Sequence, residues 1–209
     1  KNNLNTCVDA VNGLVADANM LAQAAVAGKL ATRAEAARHQ GDFRRVVEGV
    51  NQTLDSVIGP LNVAANYVDR ISKGDIPAKI SDSYNGDFNE IKNNLNQAIG
   101  AVNALVADAH MLSRAAVEGK LATRADASKH QGDFRKIVQG VNETLDAVLR
   151  PIEEAATVLE GLANADLRQR MKGDYQGDHT KIKESLNGMA EALYQALVQV
   201  AEATDQVSA

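Results

Sequence analysis

Apolar residues recur along this chain at alternating steps of three and four. Phe43, Val47, Val50, Leu54, Val57, Leu61, Ala64, Val68 and Ile71 keep that rhythm, and so do Phe88, Ile91, Leu95, Ala98, Val102, Leu105, Ala109, Leu112 and Ala116. A seam with a mean spacing of about 3.5 residues, held over several heptads, is the pattern of helices packed as a coiled coil. Shorter series run from Leu4 to Ala25 and from Ile182 to Val207, and Phe134 to Leu162 copies the first series. The spacing predicts five helices, over about 2–27, 42–73, 87–118, 133–164 and 178–207. Pro60 and Pro151 fall inside two of them. A proline there removes a backbone hydrogen bond, so each position is expected to kink or restart its helix.

The pattern repeats. Residues 11–60 and 102–151 share 35 of 50 positions at a shift of 91. The same shift carries Asp75 onto Asp166, Tyr84 onto Tyr175 and Leu95 onto Leu186 without a gap. Each 91-residue unit is itself double. Four connectors begin at Gly28, Gly74, Gly119 and Ala165, and each reaches a Gly-Asp pair 13, 12, 13 and 12 residues later. Repeats of this length mean stacked supersecondary units. The glycines are read as turns. Asp42, Asp87, Asp133 and Asp178 are read as caps of the helices that follow, satisfying free amides and complementing the helix dipole.

The connectors are too long for antiparallel hairpins, which need about two to eight residues. About 13 extended residues reach roughly 43 Å, whereas a 16-residue helical arm rises roughly 24 Å. A connector can therefore run back along its helix and start the next one parallel to it. Each also carries two apolar residues at fixed offsets: Leu30 and Ala34, Ile76 and Ile80, Leu121 and Ala125, Leu167 and Met171. These are candidate pins that press the connector onto the bundle.

Composition narrows the class. Aromatics make up 3% of the chain and Trp is absent, which suits thin Ala/Leu layers between helices better than a thick core. Cys7 is the single cysteine, so neither a disulfide framework nor a Cys-based zinc site is expected. On its seam it reads as a small buried hydrophobe rather than a redox sensor. The net charge of −5 argues against nucleic acid or an anionic membrane as partner. No apolar run is long enough to span a bilayer. The chain starts at Lys1 and ends within a helical pattern, so it is expected to be a soluble, cytoplasmic piece of a longer protein that is itself open to membrane anchoring.

A helix, a connector of the form Gly-x-apolar-x3-apolar and an acidic-started second helix together resemble the HAMP domain. Four copies cover nearly the whole chain, over 14–59, 60–104, 105–150 and 151–195, with 196–209 as an exit helix. The stretch NGDFNEIKNNLNQ, Asn85–Gln97, is similar to the tandem-HAMP region of methyl-accepting chemotaxis proteins. Two departures stand out. Ala165 replaces Gly in the fourth copy, and Phe43, Phe88, Phe134 and His179 occupy the place of the family's Glu. The resemblance implies an all-α fold: an elongated, parallel homodimeric four-helix coiled coil with helices shared between neighbouring copies. It also implies a non-catalytic signal relay whose output, a downstream hairpin absent here, controls a histidine kinase through an adaptor. Alternatives are the HAMP relay of a sensor histidine kinase and a purely structural spacer.

No catalytic, cofactor-binding or metal-binding constellation is expected. His39 and His130 occupy equivalent places just before Gln-Gly-Asp. Without a second ligand at suitable spacing they read as polar connector residues bonding to the bundle, the alternative being a metal or pH-sensing pair. His110 and His179 read as structural. Asn51, Asn96, Asn142 and Asn187 each follow a seam residue and either fix register as polar flanks or are plain solvated positions. Odd and even copies differ in spacing and in the size of the second pin, so they are expected to prefer different bundle geometries.

Overall fold

A computed structural model describes the backbone of residues 2–208 and the side chains of residues 4–206. Val207, the last residue of the fifth seam, and Ala209, the end of the exit segment, lie outside the described side chains and residues respectively. The described chain is all-helical: α1 Asn2–Val26, α2 Gly41–Ser72, α3 Gly86–Val117, α4 Gly132–Ala163 and α5 Asp178–Ser208. Short 3-10 turns lie at Ala36–Arg38 and Ala127–Lys129. Among the described residues there is no strand, and no helix is long and apolar enough to cross a membrane.

Each boundary falls within one residue of the range expected from the sequence, and the backbone explains why. Gly28, Gly74 and Gly119 sit at φ +69°, +79° and +71°. Their amides, and those of the next residues, close back on the last turn, as in Gly28 N to Ala25 O at 3.0 Å and Lys29 N to Ala24 O at 2.8 Å. This left-handed cap satisfies carbonyls the helix leaves free. Ala165 takes the same turn at φ +65°, a conformation an alanine adopts at a steric cost. Pro60 and Pro151 interrupt nothing. α2 and α4 run continuously through them, so the expected restart does not occur.

The expected aspartate caps are corrected. The cap positions of α2 and α4 are Gln40 and Gln131, neither with a side-chain cap bond. Gly41 and Gly132, both at φ +55°, already belong to the helix, which places Asp42 and Asp133 two residues past the cap position. Their carboxylates accept from Arg45 Nη1 at 3.1 Å and Lys136 Nζ at 2.8 Å. Asp178 likewise accepts from Lys181 Nζ at 2.6 Å. Asp87 lies in the first turn of α3. All four sit where a negative charge complements the helix dipole.

The chain divides into two compact units, 1–103 and 104–209, with the division inside α3. In the first, α1 packs beside α2; in the second, α4 packs beside α5. Buried positions recur at the 91-residue shift: Val47 with Val138, Ile58 with Leu149, Ile99 with Ala190. Cys7 is exposed, contrary to expectation. His39, just before the start of α2, lies beside Asp17, so the first turns of α1 extend past the helix that would cover them.

Candidate functional site

The connectors carry what chemistry the chain has. The two residues of each predicted pin pair fare differently. Ala34, Ile80, Ala125 and Met171 are all buried, at 1–7% exposure. Met171 joins Val158 of α4 and Leu186 of α5 in a core cluster flanked by Ala155, Leu162 and Tyr175. Ile76 and Leu167 are half-buried, whereas Leu30 and Leu121 are exposed. Within one chain, the second residue of each pair is thus the one seated between helices.

What seats it is an asparagine. Ala34 N donates to Asn51 Oδ1 at 3.1 Å, and Asn51 Nδ2 donates back to Ala34 O at 2.7 Å. Asn96 makes the same pair with Ile80 at 2.7 and 3.0 Å, Asn142 with Ala125 at 3.0 and 2.8 Å, and Asn187 with Met171 at 2.8 and 3.0 Å. A carboxamide offers one acceptor and one donor side by side, so it can replace both bonds a neighbouring strand would give an extended residue. Each pin residue therefore buries its side chain with its backbone fully paired. These asparagines were read from sequence as flanking or solvated positions. The signal that identifies them is their distance to the following frame: each lies ten residues after the Gly that opens its helix, and each pin lies six after its connector's start.

An arginine latch lies beside the clamp. Arg33 donates to Leu30 O and Thr32 O, both at 2.7 Å, and its guanidinium reaches Asp55 Oδ1 of α2 at 2.6 Å. Arg124 repeats this with Asp146, and Arg170 with Glu191 at 2.7 Å. The fork geometry of guanidinium lets one side chain brace the connector's own turn and tie it to the helix.

A third fastening reaches the preceding helix. Buried His39 donates from Nε2 to Asp17 Oδ2 at 2.6 Å, and His130 to Asp108 Oδ2 at 2.6 Å. These histidines thus sit as polar connector residues bonded to the bundle, and among the described residues no His, Cys, Asp and Glu cluster could hold a metal. The 13-residue connectors have one residue more between pin and helix start, and it is there that the turns Ala36–Arg38 and Ala127–Lys129 form. The 12-residue fourth connector has no such turn. Instead Glu154 of α4 accepts from Lys172 N at 2.7 Å, from Gly173 N at 3.2 Å and from the Tyr175 hydroxyl. These bonds, led by that from Tyr175, hold the Glu154 carboxyl below the usual glutamate range, and the carboxylate pushes the Tyr175 hydroxyl up. Gly173 is needed here, because a Cβ would lie 2.5 Å from the Tyr175 ring.

The order of contacts fixes direction. Leaving α1, the connector meets Asp55, then Asn51, then reaches the start of α2 beside Asp17. It descends along both helices, so α1 and α2 run parallel. Copy three has the same sequence of contacts.

A family model described as "HAMP domain" matches residues 38–104 and 129–195, well over half of the chain and offset by the repeat length. The methyl-accepting chemotaxis protein McpB of Pseudomonas aeruginosa is 31% identical over 97 residues. That alignment covers 46% of this chain and 14% of that protein. No solved structure matches the chain.

Proposed function

The chain belongs to the HAMP domain family, and from that premise we propose that it is a non-catalytic relay of a chemoreceptor. It is built as four copies, over 14–59, 60–104, 105–150 and 151–195, in a parallel homodimer. Input reaches α1, a change of packing passes from copy to copy, and α5 hands it to a kinase-controlling output segment in the cytoplasm. The named relative is a chemotaxis protein, which favours that output over a fused histidine kinase.

The observation that carries this reading is the combination of a seated connector with an uncovered seam. Val57, Leu61 and Val68 of α2 and Val148, Ile152 and Leu159 of α4 are 41–55% exposed in the single chain. They belong to the heptad series, and two helices per copy leave half of a four-helix bundle unfilled. A second copy supplies the other half at every level. Each connector then lies on the outside of a closed bundle, fastened by polar bonds that can be remade. Packed cores change between discrete arrangements rather than deforming smoothly, and a difference of a few kcal/mol between them is enough for a switch.

The test uses the parent receptor with its kinase. Ile76→Ser, Leu121→Ser or Asn142→Ala is expected to shift kinase output at unchanged stimulus while the protein remains dimeric. Unchanged output in all three contradicts a relay and leaves a spacer.

A further inference from the structure

The four copies place their fastenings at equivalent positions, and one copy lacks two of the three. Eleven residues before the connector's start stand Asp17, Val63, Asp108 and Glu154. The three acids each bind their connector; Val63 has no group to do so. One residue before the buried pin stand Arg33, Lys79, Arg124 and Arg170, and four after the clamping asparagine stand Asp55, Gly100, Asp146 and Glu191. Three of these pairs form the latch. In copy two the acid is missing, and Lys79 lies along the bare backbone of Gly100, its Nζ 3.7 Å from where a Cβ would stand.

Beyond its opening turn, the second connector is therefore bonded to the following helix alone. Asn96 clamps Ile80, and Lys92 Nζ reaches Asp82 O at 3.4 Å. The ion pair of Arg70 with Asp75 closes only the turn where the connector begins. Among the described residues, nothing beyond that turn ties it by a hydrogen bond or ion pair to α2. The other three connectors are held to both of their helices. Buried Pro77 and Ile80 keep the second connector seated by apolar contact, which has no direction and permits sliding where paired charges do not.

We propose that the second connector is the release point of the array, the one that leaves its seat most readily and so takes up a change of packing first. This rests on the relay reading for its role, but the unequal fastening itself is a property of the chain. The first, third and fourth copies act as stiffer elements on either side of it.

The same amide gives a matched reporter in every copy, because Ala34, Ile80, Ala125 and Met171 N–H all donate to an asparagine Oδ1. Amide hydrogen exchange on the whole chain, corrected for intrinsic rates, is expected to show Ile80 about fivefold less protected than the other three, the upper range for a partly exposed charged pair. Lys79→Arg with Gly100→Asp installs the missing latch and should restore that factor at Ile80. Gly100→Ala alone controls for the removal of a helix-weakening glycine and should restore less. The reverse change, Arg124→Lys with Asp146→Gly, should lower protection at Ala125 and leave Ala34 unmoved. Protection at Ile80 equal to or above that at Ala125 in the unaltered chain overturns the proposal, as does an installed latch that does no more than Gly100→Ala. Light scattering on the same samples keeps the two readings apart. A single-chain mass overturns the dimeric relay alone; equal protection overturns the release point alone.

Discussion

The third and fourth connectors solve one problem with different chemistry. Both must fasten a buried pin, Ala125 or Met171, between two parallel helices, and both use an asparagine for the second helix. Both also use an acid at the same place on the first helix, Asp108 or Glu154. The partner changes. In copy three the extra residue forms a 3-10 turn that delivers His130 to Asp108. In copy four, one residue shorter, the acid instead takes backbone amides and Tyr175. What the architecture holds fixed is the position of the acid and the clamp. The group that meets the acid follows from the length of chain available. The longer glutamate reaches the backbone directly, whereas the shorter aspartate is met by an imidazole.

The clamp is common to both connectors, and breaking it should have the largest effect. Asn142→Ala leaves the N–H and C=O of Ala125 unpaired beside a buried side chain. The expected loss is about 2–3 kcal/mol in chemical denaturation, since two bonds go and two buried groups remain. Asn187→Ala should cost a similar amount. A loss below about 0.5 kcal/mol in both, within the range of an ordinary surface change, would mean that apolar contact alone seats the pins.

The next prediction separates the two connectors. Glu154 has a folded-state pKa below its unfolded value, so the stability it contributes is present in full above the unfolded value. It is lost as pH falls through the lower folded value. Glu154→Gln should remove that part of the acid dependence and cost on the order of 1 kcal/mol at neutral pH, discounted for the exposure of the carboxylate. Urea denaturation from pH 7 down to pH 3 measures both. An identical acid profile in the variant would show that the Glu154 bonds do not form in solution.

The smallest expected effect is at the turn that opens the fourth connector. Ala165 holds the left-handed conformation that Gly119 holds in the third. Ala165→Gly should raise stability by about 0.5–1 kcal/mol and Gly119→Ala should lower it by a similar amount. Thermal melts of the two variants give these shifts if the turns are formed as described; a lower melting temperature for Ala165→Gly and a higher one for Gly119→Ala, the order set by chain entropy alone, would show that they are not.

Much of this was legible in the sequence, for a physical reason. Helix limits are set by glycines that must take positive φ, such as Gly28 and Gly41, and glycine at a fixed period is visible without coordinates. The all-α class follows from seams that never lose their step of three and four. The fastenings were less legible. Asn51 and Asp17 lie on helices whose pattern says only that they are off the seam, and what they face depends on a connector more than ten residues away. His39 and Asp17 are 22 residues apart, and no local spacing rule joins them. Asp42 was misread because the glycine before it counts as helix, which moved the cap to Gln40. The restart expected at Pro60 does not occur, because the helix tolerates one missing bond when its neighbours on the same helix are intact.

The expected difference in bundle geometry between odd and even copies now has a local origin, the extra residue and its 3-10 turn. It stands as a proposal to be measured by helix rotation and separation at equivalent layers, for instance 41–57 against 86–102.

The proposed relay, from the covering of the exposed seam to a change of packing passed between copies, requires a second copy of the chain. The molar mass of the chain in solution tests that most directly. Light scattering at micromolar concentration is expected to give twice the single-chain mass of 22.2 kDa, unchanged on dilution through that range. A mass of 22.2 kDa in a cooperatively folded sample would contradict it, because the exposed seam would then have no partner and the connectors no bundle to switch.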